Sequence, residues 1–119
     1  MNARLHARTL RENESQRVAV RKELSAILAN IDAELKTAHD MGKNCVQVTL
    51  PIVFAIPYMD NAVAQRTVYY GVIKDLESRG FTVKCRFTAR NSTMYVSWYN
   101  DDELQEMQAQ MHYIAARSL

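Results

Sequence analysis

Little in this 119-residue sequence interrupts a regular chain, for it holds only three glycines and two prolines. That scarcity excludes collagen-like and linker-rich architectures and predicts long elements joined by short connections. Two cysteines cannot staple a small disulfide-rich fold, and alone they cannot close a four-ligand zinc site. Neither sign of charge dominates: 15 Lys and Arg stand against 13 Asp and Glu, a net +2 too small to mark a nucleic-acid-binding chain. The longest apolar run, Ile52 to Ile56, lies between Pro51 and Pro57 and is too short to cross a bilayer, so no membrane span is expected. The N-terminus lacks an apolar signal core, so no secretory leader is expected and Cys45 and Cys85 are read as free thiols.

Patterns that carry chemistry are missing as well. His6, His39 and His112 fall in separate elements, with no His-x-x-x-His or Cys-x-x-Cys spacing. Gly42, Gly71 and Gly80 are isolated, so no glycine-rich phosphate loop exists. Asp101 and Asp102 are neighbours at a helix start, where capping accounts for them. Cys85 falls mid-strand on an apolar face, the usual setting of an inert buried thiol. Arg79-Gly-Phe-Thr-Val-Lys-Cys-Arg-Phe87 superficially resembles an RNA-recognition strand, but Val83 and Arg86 fall out of register with the base-stacking aromatics. No catalytic residue, metal ligand or cofactor is expected, and the chain is not expected to be an enzyme.

What is present is an ordinary globular balance, 48% apolar and 24% charged, at a length that suits one core. Residues 9–40 lack Gly and Pro, and Leu24, Ile27, Leu28, Ile31 and Leu35 recur at helical spacing. A long amphipathic helix is expected there, strongest from Val18 to Ala38 and stopped at Gly42, with the first dozen residues frayed or ordered only on a partner. Cys45 to Leu50 alternates and reads as a strand, while Ile52 to Ile56 is either a buried irregular crossing or a continued edge strand. A second helix is expected from Asn61 to Arg79. Gly80 ends it in a left-handed conformation, which brings Phe81 back onto Leu76 in a Schellman motif. Phe81 to Thr88 and Thr93 to Tyr99 form a hairpin. Asn100 and Glu103 then resemble a capping box for a last helix with Leu104, Met107, Met111 and Ile114 on one face.

The resulting class is α+β in the order α-β-α-β-β-α. It has a small three-stranded mixed sheet, the last strand in the middle, the second and last helices on one face, and a long N-terminal helix. The expected core contains Leu76, Phe81, Val83, Phe87, Val96 and Trp98. Charge divides the chain: residues 1–22 carry six basic side chains against two acidic ones, and residues 100–119 carry four acidic against one basic. Residues 1–22 are therefore read as a basic arm and 23–119 as a single domain that includes the rest of the helix. The arm is a solvated helix face, a grip on an acidic protein surface, or a nucleic-acid contact.

The segment from Val46 to Tyr99 resembles a small family encoded by large icosahedral nucleocytoplasmic double-stranded DNA viruses. The matching pieces are Leu50-Pro51, Ile73-Lys-Asp-Leu76, Arg79-Gly-Phe-Thr-Val83 and Tyr95-Val-Ser-Trp98. The resemblance implies a structural virion component, a minor capsid protein that links or cements capsomers through helix-mediated contacts with major and minor capsid proteins. The partner-binding candidates are Arg4, Arg8, Arg11, Arg17, Arg21, Leu24, Leu28, Ile31, Leu35, Met107 and Met111, with self-association as a second use of the same surfaces. The alternative is a small nucleic-acid-binding accessory protein that uses the arm together with an outer sheet face of Lys84, Arg86, Tyr95 and Tyr99.

Overall fold

The computed structural model describes residues 4–88, 90–103, 105–107, 109 and 110. Helix α1 (Ala7–Asp40) is followed by strand β1 (Cys45–Leu50), helix α2 (Asn61–Ser78), and strands β2 (Thr82–Phe87) and β3 (Ser92–Ser97). Residues 101–103, 105–107, 109 and 110 are helical and form α3. The α+β class and the element order agree with the sequence reading. Leu104, Met111, His112 and Ile114 lie outside the described residues, as does Ala89 in the hairpin turn.

The helices stop where glycine permits it. Gly80 has φ +91°; its N–H donates to the Glu77 carbonyl at 3.0 Å and the Phe81 N–H to the Leu76 carbonyl at 3.1 Å. These two bonds are the expected Schellman motif. Gly42, with φ +78°, closes α1 in the same way: its N–H reaches the His39 carbonyl at 3.0 Å and the Lys43 N–H reaches Ala38 at 2.9 Å. At the start of α3, the Asn100 side-chain oxygen accepts from the Glu103 N–H at 2.8 Å, and its amide donates to the Glu103 carboxylate at 2.8 Å. The capping pair is thus formed, with the return bond made by the amide side chain.

The sheet order is β1-β3-β2. The middle place of β3 is as expected, and β1 and β2 run in the same direction. They are not neighbours, so the mixed sheet of the sequence reading is corrected: both ladders are antiparallel, with Val46 and Val83 opposite Val96, and Val48 and Cys85 opposite Met94. One face of this sheet carries Val46, Val48, Leu50, Met94 and Val96, all buried with Ile27, Ile31, Leu35, Val68, Val72 and Leu76 in a single cluster. The helices on that face are therefore α1 and α2. Helix α3 lies across the opposite face, where Asp101 pairs with Lys84 at 2.9 Å. Its assignment beside α2 is corrected because the apolar stripe of α1 already fills that layer.

Of the expected core, Leu76 and Val96 are fully buried, and Phe81, Val83 and Trp98 pack against the cluster from its margin. Phe87 is 48% exposed, a correction to its placement in the core. Cys85 is exposed rather than buried. Both residues point to the apolar face, but β2 is an edge strand with no neighbour on its outer side, so their outer flanks stay open to solvent. Phe87 recovers part of its contact by stacking on Tyr69, with centroids 5.0 Å apart.

The run from Ile52 to Ile56 is irregular, with Phe54 and Ile56 buried and Val53 exposed. Pro51 ends the ladder, and side chains of α2 replace it. Asn61 accepts from the Phe54 N–H at 3.0 Å and donates to the Ile52 carbonyl at 2.9 Å. Gln65 donates to the same Ile52 carbonyl, and the Tyr69 hydroxyl donates to that of Pro51. Residues four apart lie on one face of a helix, so one row of α2 grips the crossing segment.

Candidate functional site

The N-terminal part of α1 is the feature that most distinguishes this fold from a compact three-layer domain. The helix has 34 residues, which at 1.5 Å per residue makes it about 51 Å long. Its core-facing stripe becomes fully buried only from Ile27 onward. Toward the N-terminus the last tether is Gln16, whose side-chain amide donates to the Tyr58 carbonyl at 2.9 Å. Tyr58 holds φ +59°, an uncommon conformation for an aromatic residue, and its ring is exposed. Before Gln16 the helix continues into solvent, with Leu5 80% and Leu10 50% exposed. The first dozen residues, expected to be frayed or partner-ordered, are helical from Ala7 onward. Arg8 and Glu12, one turn apart and joined at 3.0 Å, support this polar stretch.

Arg4, Arg8, Arg11, Arg17 and Arg21 are all exposed. Arg17 and Arg21 flank a groove of about 500 Å³ between α1 and the start of α2, whose apolar wall is Val20, Leu24 and Met59, whereas Arg11 lines a separate cleft beside Ala55 and Pro57. Neither arginine forms an ion pair among the described residues. Leu24 and Leu28 are partly buried against the core cluster, Leu24 beside Gly71 of α2. Ile31 and Leu35 are core residues, 0% and 7% exposed, and offer no surface to a second chain; their candidacy as partner contacts is corrected. Met107 is partly buried beside the outer sheet face, and Met111 lies outside the described residues.

The outer sheet face does bring Lys84 and Tyr95 together, as cross-strand neighbours, with Arg86 opposite Thr93. Tyr99 follows the end of β3, half-buried beside Trp98. The face is not an open platform, however. Helix α3 crosses it, and a cleft of about 580 Å³ remains, lined by Cys45, Lys84, Tyr95, Asp101, Gln105 and Met107. The ammonium of Lys84 already has a carboxylate partner in Asp101.

Other reactive groups are dispersed. Among the described residues, no group of three or more His, Cys, Asp or Glu is placed to hold a metal ion. Partial desolvation by neighbouring side chains, with a smaller contribution from the Glu77 carboxylate, pushes the exposed Cys85 thiol pKa up, which disfavours the thiolate. The Arg79 guanidinium bonds Asp32 of α1 and Asp75 of α2, each at 2.9 Å, and the Asp32 bond is the main cause of its raised pKa. No described helix is long and apolar enough to cross a membrane.

Two structural contributions escaped the sequence reading. The groove depends on the turn at Pro57-Tyr58-Met59, whose left-handed Tyr58 has no sequence marker. The row Asn61, Gln65 and Tyr69 did leave a trace, a four-residue spacing of hydrogen-bonding side chains.

No family model matches the chain, and no solved structure matches it significantly. Over 76 residues it is 33% identical to uncharacterized protein B125R of African swine fever virus, both in a South African tick isolate and in a Namibian warthog isolate. The Malawi tick isolate has a form 32% identical over the same length. The match covers 60% of this chain and 61% of the relative, so the chain spans about three-fifths of the relatives' length. These relatives come from a large nucleocytoplasmic double-stranded DNA virus, the class that the sequence resemblance implied.

Proposed function

We propose that this chain is a structural component of a virus particle, a minor capsid protein whose long helix links neighbouring capsomers. One observation carries the reading: the exposed, arginine-bearing end of α1 stands beyond its last tether at Gln16. A helix ordered in solvent, with Leu5 and Leu10 bare on its surface, has the form of an element that acquires its packing from another protein. Similarity to proteins of a large DNA virus supports the setting. The nucleic-acid alternative is less well served, since α3 crosses the outer sheet face and Lys84 is paired there.

Deletion of residues 1–12 tests the reading, because it removes the free end and keeps Gln16 and the groove, which Asn13 also lines. The shortened protein should melt as the full chain does but fail to co-purify with particles of the virus that encodes it. Normal incorporation of the shortened protein overturns the proposal. So does specific DNA binding by the free end that weakens steeply between low and physiological salt, because that is the signature of a nucleic-acid arm.

A further inference from the structure

We infer that the groove between α1 and α2 receives helix α3 of a second copy of this chain, so that copies join head to tail. The groove presents two guanidiniums, Arg17 and Arg21, one helical turn apart beside an apolar wall of Val20, Leu24 and Met59. Helix α3 presents two exposed carboxylates, Asp102 and Glu106, also one turn apart. In each pair the residues are four positions apart and therefore separated by about 6 Å along the helix axis, so both ion pairs form in a single docking register. All four side chains are without an ion-pair partner among the described residues. Asp101 is the exception within the acidic cluster, because it is used internally by Lys84. The face of α3 that carries Asp102 and Glu106 continues to Ala109, which is exposed and small enough to let the helix sit low against the wall.

Charge selects this partner over the alternatives. Two α1 ends laid together would oppose arginine to arginine, and two α3 starts would oppose carboxylate to carboxylate. Only α1 against α3 is complementary. The contact is heterologous: each copy that offers α3 leaves its own groove open, so association proceeds by chain growth unless the rotation between copies closes a ring. Ion pairs at an exposed rim contribute little each, so Val20, Leu24 and Met59 must supply the holding contact while the charges fix the register. This inference concerns the chain alone and does not depend on the capsid reading.

The test uses sedimentation velocity on the purified full chain. At low salt the protein should form species larger than a dimer as its concentration rises, and an increase from about 50 to 500 mM salt should weaken association about tenfold or more. Arg17→Gln with Arg21→Gln removes the acceptor, and Asp102→Asn with Glu106→Gln removes the donor. All four positions are exposed, so both variants should keep the parent's circular dichroism, and at the lowest concentration at which the parent associates both should be monomeric alone. Mixed one to one, they should yield a dimer that grows no further, since one intact groove and one intact helix remain between them. A monomeric parent, association that survives in either variant, or a mixture that stays monomeric each overturns the inference.

Discussion

Leu24 Cδ1 lies 3.0 Å from the point that a Cβ on Gly71 would occupy. Gly71 is a helix-interior residue of α2, and its missing side chain lets α1 and α2 approach closely at this point. Gly71→Ala gains about 1 kcal/mol of helix propensity and obliges the end of the Leu24 side chain to shift by a few tenths of an ångström. Leu24 is only partly buried, so the net change should stay within about 1 kcal/mol. Gly71→Leu should cost about 1–3 kcal/mol, and Leu24→Ala in that background should recover much of the loss. Urea titrations of the four proteins check this; strictly additive effects would show that the two residues do not share the space.

Gly80 offers a purer backbone test. Its φ is +91°, and a Cβ built there meets nothing within 4 Å. Any loss in Gly80→Ala is therefore conformational, and about 1–2 kcal/mol is expected in thermal melts. Gly80→Asn should lose less, because asparagine tolerates the left-handed region. Equal losses for the two substitutions would count against the backbone explanation.

The grip of α2 on the crossing segment gives a third prediction. Asn61→Ala leaves the Phe54 N–H without its acceptor, in a part-buried position. An orphaned donor of that kind costs about 1–3 kcal/mol. Hydrogen exchange should show faster exchange at the Phe54 amide, with the amides of β3 little changed. Uniform acceleration across the sheet would mean that the bond is not local in its effect.

Cys85 should alkylate slowly at neutral pH. Partial desolvation and the Glu77 carboxylate raise its pKa, so its rate with iodoacetamide, measured in a Cys45→Ser background, should climb at higher pH than that of a fully solvated thiol. Glu77→Gln removes the smaller cause and should move the profile down in pH without restoring the fully solvated value. The linked stability has a definite sign. A raised folded-state pKa contributes stability fully below the unfolded value and loses it as pH rises through the folded one.

How far the chain could be read in advance depended on the range of the interaction. Gly42, Gly80 and the Asn100–Glu103 pair were legible because a cap is decided by residues within a few positions of one another. The alternation of β2 and β3 fixed which side chains share a face, and the register confirms it for Lys84 and Tyr95. Periodicity gives direction and not coverage, which is why Phe87 and Cys85 point inward and yet stay exposed at the sheet edge. The layer assignment of α3 failed for a related reason: its own apolar stripe does not reveal that α1 already occupies the other face. Within the candidate site, the arginines of the arm were evident, but the groove needed the Gln16–Tyr58 tether, a contact 42 residues apart in sequence.

The crossing segment is held by its main chain: Asn61, Gln65 and Tyr69 of α2 bond backbone groups of Pro51, Ile52 and Phe54. Such bonds are indifferent to which side chains the gripped residues carry. Only Phe54 and Ile56 are committed to the interior, whereas Ile52, Val53 and Ala55 face outward. Related proteins can therefore diverge freely at Ile52 and Val53 while the path of the chain stays fixed; Ala55 has less latitude because it lines a cleft against α1. The external character of this ridge can then be rewritten, from greasy to charged or the reverse, without any compensating change in the helices beneath it.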